Sequence, residues 1–326
     1  MRRLASSRLM AAASAVAMFA SPPAASQQGP GPRPVCPPDL PSLAPMPAPS
    51  AESPPAPGVR VAVPFAPPLG RTLRYRAHLT SWEGPRPEIN DIEFTLRFDR
   101  AASGYRMDLA FIPSEAQRES VPRAVAELAG RPVTFLVAMD ASIQALDDEP
   151  AFWAALEAAF AARAAPPARA IPVEAVELMR AVRRLPDEQR LAMLAGPALQ
   201  VLAAARLEAV TGERRRLTRA TQTMFGRALA ELTVTVTRVE ADRAEISLEA
   251  AVPPERLQAM LQAVAPPEPA GAQAFSVLSS SHDERIEVSL VTGLVSHVAG
   301  RAVVEMDLGG RCIRIRQNVL VEAVEG

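Results

Sequence analysis

The chain has 326 residues, 35 basic against 36 acidic, and a net charge of −1. Every basic residue is arginine. With no net positive field, nothing equips the chain to hold nucleic acid or an anionic membrane surface.

At the N-terminus, Arg2, Arg3 and Arg8 lead into an apolar run from Leu9 to Ala20, then Ala24-Ala25-Ser26 before Gln27. A positive region, a short apolar region and small residues make a secretory signal peptide. The run is about 12 residues where a spanning helix needs roughly 20, and Pro22-Pro23 ends it. Residues 1–26 are therefore expected to be cleaved, leaving a periplasmic or secreted chain with no transmembrane segment. More than half of the 33 prolines fall between Ser21 and Leu69. That composition reads as a proline-rich disordered linker over 27–70. Cys36 and Cys312 are the only cysteines. In an oxidising compartment they most simply form one disulfide tying the leader to the far end of the chain, two unpaired thiols being the alternative. No lipoprotein box surrounds Cys36.

A single α+β domain is expected over 71–326. Leu73, Tyr75, Ala77 and Leu79 alternate with polar residues, as do Ile92, Phe94, Leu96 and Phe98, and then Tyr105, Met107, Leu109 and Phe111. Period two with turn residues between marks consecutive antiparallel strands. Pro122 to Ala129 reads as a short helix, and PVTFLVAMDASIQAL as two short strands across Asp140-Ala141. The segment 148–210 changes to helical spacing. Asp148 and Glu149 precede Trp153, Leu156 and Phe160, and further helices are expected from about Pro172 to Arg184, from Pro186 to Gly196, and from there to Val210.

After Thr211-Gly212 the alternation returns, through Leu232, Val234 and Val236 and then Ile246 and Leu248. A helix over Pro254 to Val264 follows, then the hairpin IEVSLVTGLVSHV and two last strands around Gly309-Gly310. The halves 71–147 and 211–326 repeat one order: three strands, a proline-started helix, a two-strand hairpin. The expected fold is a large curved antiparallel sheet, half-barrel-like, made of two similar β units around a central helical segment. Whether the units form one sheet or two is left open.

The chain offers little chemistry. His78, His282 and His297 are far apart, and no HExxH, CxxC, glycine-rich phosphate loop or GxSxG elbow occurs. No catalytic, metal or cofactor-binding residue is assigned, and no cofactor is expected. The run Ser279-Ser280-Ser281-His282-Asp283-Glu284 holds the residue types of a triad, but neighbours in an extended run point to opposite sides. It reads as a polar loop leading into the strand at Ile286. Arg183-Arg184 and Arg214-Arg215-Arg216 read as solvated faces.

The strand that runs into Thr292-Gly293-Leu294 and out again, over Ile286 to Leu308, resembles the periplasmic lipoprotein-carrier and lipoprotein-receptor family, whose incomplete barrels hold acyl chains. This chain is longer, has a helical middle and only 4% aromatic residues, and no functional residue is carried over. More broadly it is similar to exported alphaproteobacterial proteins, a likeness that implies a compartment and no activity. The expectation is a non-enzymatic binding or carrier module for an apolar small molecule or lipid. The alternative is an envelope structural or assembly factor acting through a protein partner, and a hydrolase using Ser281 or His282 ranks last.

Overall fold

The computed structural model describes residues 57–82, 87–112, 131–161, 182–223, 226–264, 275–308 and 310–324. The signal peptide expected over 1–26, Cys36, the helix expected at Pro122 to Ala129 and the start of the one expected at Pro172 lie outside them.

The first half holds β1 (Arg60–Ala62), β2 (Thr72–Trp82), β3 (Pro87–Ala101), β4 (Gly104–Ile112), β5 (Val133–Ala138) and β6 (Ile143–Leu146). The middle holds α1 (Glu149–Ala161), α2 (Asp187–Ala195), α3 (Ala198–Leu202) and β7 (Glu208–Val210). The second half holds β8 (Arg214–Thr223), β9 (Gly226–Val239), β10 (Arg243–Ala251), α4 (Pro254–Val264), β11 (Phe275–Ser289), β12 (Val295–Leu308) and β13 (Arg311–Val324). Eleven strands make one antiparallel sheet in the order β6-β5-β4-β3-β2-β13-β12-β11-β10-β9-β8, and β1 pairs separately with β7. The fold is α+β. The meanders β2 to β6 and β8 to β12 cross the sheet in the same sense, and β13 joins them, so the two similar units share one sheet.

Directly opposed residues of antiparallel neighbours lie on the same face. One rung therefore runs Ala77, Val321, Val298, Ile286, Ile246, Val236, and every member is buried. This is the inner face. α2 packs on β6 and β9, α3 on β12, and α4 on β11 and β9. The opposite face carries ion pairs such as Arg314 with Glu305 at 2.6 Å and Arg301 with Asp283 at 3.1 Å.

The sheet bends over the inner face. Arg206 Nε donates to Met139 O in the β5–β6 turn at 3.1 Å, while Arg219 on β8 donates to Ala205 O at 3.0 Å. β6 and β8 lie ten strand positions apart, about 48 Å along a flat sheet at about 4.8 Å per strand. The adjacent residues Ala205 and Arg206 reach both ends, so the ends face one another across the covering segment. The sheet nevertheless stays open, because β6 and β8 do not pair.

Three expectations are corrected. Of the stretch expected as a linker, 27–70, the described part from residue 57 is packed: Val61, Val63 and Phe65 are buried, and Val63 exchanges hydrogen bonds with Leu207 O at 2.8 Å and Arg206 N at 3.1 Å. Its valines alternate at period two, a signal that the prolines around them masked. The fourth helix is short and stops at Leu202, and Glu208–Val210 is a strand because β1 pairs with it, a partner about 150 residues away in sequence that no local pattern reveals. Ser279 to Glu284 is not a loop but part of the fifteen-residue β11.

The hairpin turn at Thr292-Gly293 anchors the buried N-terminal stretch. Ala66 N donates to Thr292 O at 2.9 Å, and Gly293 has φ +74°. A Cβ there would stand 1.7 Å from Pro64 O.

In the helical segment, Arg190 ties α1 to α2, donating to Glu149 Oε2 at 3.3 Å, to Asp187 Oδ1 at 2.7 Å and to Leu185 O at 2.9 Å. Replacing it with leucine is expected to cost about 1–3 kcal/mol, read as a lower midpoint of urea unfolding, because Leu185 O and Glu149 lose a charged donor while the arginine's half-buried stem is only partly replaced.

Candidate functional site

The inner face is not uniformly apolar. Next to the all-apolar rung runs one reading Asn90, Leu79, Val319, Gly300, Glu284, Leu248 and Val234. The following one reads Ser81, Gln317, Ala302, His282, Ala250 and Leu232. Burial grades along both. Asn90, Leu79, Val319, Ser81 and Gln317 are half-buried, whereas Glu284 is 3% exposed and Leu248 and Val234 are core. This end of the inner face is thus open at β3, β2 and β13 and closed at β11 and β10, where α4 lies over β11.

The opposite end is filled. Phe98, Met107, Phe135, Leu96 and Leu109 are fully buried. Phe65 packs edge-on against Phe98 at 6.2 Å and Tyr105 at 5.2 Å. Tyr75 stacks on Phe94 at 5.4 Å, and burial raises the Tyr75 pKa well above the ordinary phenol value. These aromatics are core, and any ligand must use the other end.

At the closed side of the graded rungs sit His282 and Glu284, two apart on β11 and on the same face. Nε2 of His282 approaches Glu284 Oε1 to 2.7 Å. The ring is not aligned for a directed hydrogen bond, which leaves Nε2 buried and without a proper acceptor; the contact is an ion pair when the ring is protonated. Burial disfavours the charged ring, but the Glu284 carboxylate, with a smaller contribution from Asp283, outweighs it and holds the His282 pKa above its ordinary value. Gly300, opposite Glu284, makes the room: a Cβ there would come within 3.1 Å of Glu284 Cγ.

A histidine whose folded-state pKa is raised contributes stability that is fully present below its unfolded pKa, about 6.5, and is lost as pH rises through the folded value. The native chain is therefore expected to lose unfolding free energy as pH climbs above about 6.5. In Glu284→Gln that loss disappears, because the buried ring then favours its neutral form. Denaturant titrations between pH 6 and 9 on both proteins measure it.

The remaining residues singled out by sequence do not join this site. Ser281 and Asp283 point to the outer face while Ser280, His282 and Glu284 point inward, so no serine–histidine–aspartate geometry forms. Ser280 Oγ is committed to Val252 O at 2.9 Å. His78 pairs with Asp91 at 2.5 Å, and His297 lies 3.6 Å from Glu322, both on the outer face. Trp82 ends β2 itself, half-buried on the outer face beside Arg316. Arg214 pairs with Glu249, and 214–216 is exposed as expected. Cys312 is the second residue of β13, half-buried and opposite Asp307, and Cys36 is outside the described residues. No group of three metal-ligating side chains converges among the described residues, and no described helix is long and apolar enough to cross a membrane. Glu284 was legible in one respect: counting back by twos from Ile286 and Val288 puts Glu284 and His282 in the phase of the buried residues. No protein-family model and no curated protein sequence matches this chain, so what the site can do is read from its own geometry.

Proposed function

We propose that the protein is an exported, non-enzymatic binding or carrier module that takes the apolar chain of an amphiphile at the open end of its covered sheet. The observation that carries this reading is the set of half-buried apolar side chains there, Leu79, Ile92, Val319 and Ile313, on the inner side of β2, β3 and β13. Interior positions of a sheet that leave apolar surface uncovered are where a ligand gains most from burial, about 25 cal/mol per Å² removed from water. The resemblance of the Ile286 to Leu308 segment to the lipoprotein-carrier family, the signal-like N-terminus and the bent open sheet support the same reading. A Cys36–Cys312 disulfide belongs to the proposal: Cys312 is the second residue of an inner strand of the sheet, on its outer face, where a leader segment has access. The partner-binding alternative draws no comparable support, since the large exposed apolar side chains Ile89, Met139, Leu229 and Val291 sit on separate elements.

Binding of N-phenyl-1-naphthylamine, an uncharged fluorophore bright only in apolar surroundings, tests the reading. The mature chain is expected to bind it, and Leu79→Glu or Val319→Glu to weaken binding at least tenfold with an unchanged melting temperature. Equal binding by those variants, or none by the native chain, would refute it.

A further inference from the structure

The apolar lining accounts for the body of a ligand but not for the polar pair at the inner end of the same rungs. From the half-buried Leu79 and Val319 the rung passes across Gly300, which has no side chain, and ends on the Glu284 carboxylate. The neighbouring rung passes from Gln317 across Ala302 to His282. The two positions between opening and pair are thus the smallest residues available, and the Glu284 side chain lies over Gly300, its Cγ 3.1 Å and its Oε1 3.6 Å from where a Cβ would stand. Two charged groups facing an apolar interior are costly to keep, and replacing such a pair by hydrophobic residues is often neutral or stabilising. His282 Nε2 is buried without an aligned hydrogen-bond partner. Strand continuity needs neither residue, since any apolar side chain serves at those positions.

We infer that the His282–Glu284 pair receives the polar end of the bound amphiphile, and that this end is an uncharged hydrogen-bonding group such as a hydroxyl or amide. This rests on the carrier reading above. As an ion pair the two side chains cancel in net charge, offering an imidazolium N–H as donor and carboxylate lone pairs as acceptor. The complementary group both accepts and donates. A charged head group would surrender its hydration and meet one like charge for each opposite one. Among the described residues, the other groups facing the pair add no charge: β10 presents Leu248 and Ala250, β12 presents Gly300 and Ala302, and α3 carries no ionisable residue. On α4 the ionisable residues are Glu255 and Arg256, both exposed, with Arg256 directed to Leu229 O.

The test uses the mature chain and a double variant, His282→Leu with Glu284→Leu, which keeps the volume apolar and the fold intact. Displacement of N-phenyl-1-naphthylamine by 1-decanol, 1-chlorodecane, decanoate and decylammonium is measured at pH 7. The expected result is that native protein binds 1-decanol at least tenfold more tightly than either ion. In the double variant the affinity for 1-decanol falls at least tenfold relative to that for 1-chlorodecane, the loss of about one buried hydrogen-bonded contact, while the fluorophore still binds. If 1-decanol and 1-chlorodecane shift together, or one of the ions binds native protein more tightly than 1-decanol, the inference is overturned and the carrier reading survives. If native protein binds no fluorophore, both fall.

Discussion

Gly293→Ala is expected to lower the unfolding free energy by about 3 kcal/mol. In a domain of this size that moves the melting temperature down by roughly 6–12 °C. Two causes act together. The residue sits at φ +74°, where an L side chain is strained, and its Cβ would lie 1.7 Å from a main-chain oxygen, Pro64 O. Backbone cannot rotate aside as a side chain can. Either the hairpin turn or the 57–66 stretch must lift, and with it goes the bond from Ala66 N to Thr292 O. The turn itself is well braced: Ser289 Oγ accepts from Val291 N and Thr292 N, and Gly293 N donates to Ser289 O at 2.9 Å. The strain therefore falls on the docking of Pro64. Thermal unfolding followed by circular dichroism measures the shift, and an unchanged melting temperature would mean that the 57–66 stretch is not seated there.

Phe65→Ala carries the other large effect, a loss of about 3–5 kcal/mol. Phe65 is 3% exposed and fills the floor of the bent sheet between Phe98 and Tyr105. Removing its ring leaves a cavity walled by β3 and β4, whose own residues are held in register on both sides and cannot collapse far. Tyr105 also loses the ring packed edge-on against it, while its 3.5 Å contact to the main-chain oxygen of residue 65 has an acceptor still. Chemical denaturation with both midpoint and slope recorded checks the size of the effect. Because both substitutions act on one docked segment, the double variant is expected to lose less than the sum of the two.

Both effects fall in a segment that composition reads as a linker, and the reason is physical. Prolines report what the backbone cannot donate, not whether neighbouring valines are buried. Val61, Val63 and Phe65 carry the period-two signal of a strand, but their partners, Leu207, Ala209 and the 292–293 turn, lie far along the chain. The meanders were legible because each strand pairs with its sequence neighbour, so the alternation of Ile92 to Phe98 or Leu232 to Val236 carries the fold locally. The union of the meanders through β13 and β2 was not legible, since nothing in Leu79 or Val319 marks them as partners. Ser279 to Glu284 was misread for a related reason. Polar residues on an inner face look like a loop until the phase of Ile286 and Val288 is carried back through them, and the site lies where polarity breaks the apolar alternation.

Native mass spectrometry of the protein purified from its own cells tests whether the open end of the inner face holds an apolar ligand. A non-covalent adduct of a few hundred daltons is expected on the native chain and not on Leu79→Glu. Bare protein in the native sample, or an adduct of equal abundance in both, would contradict it.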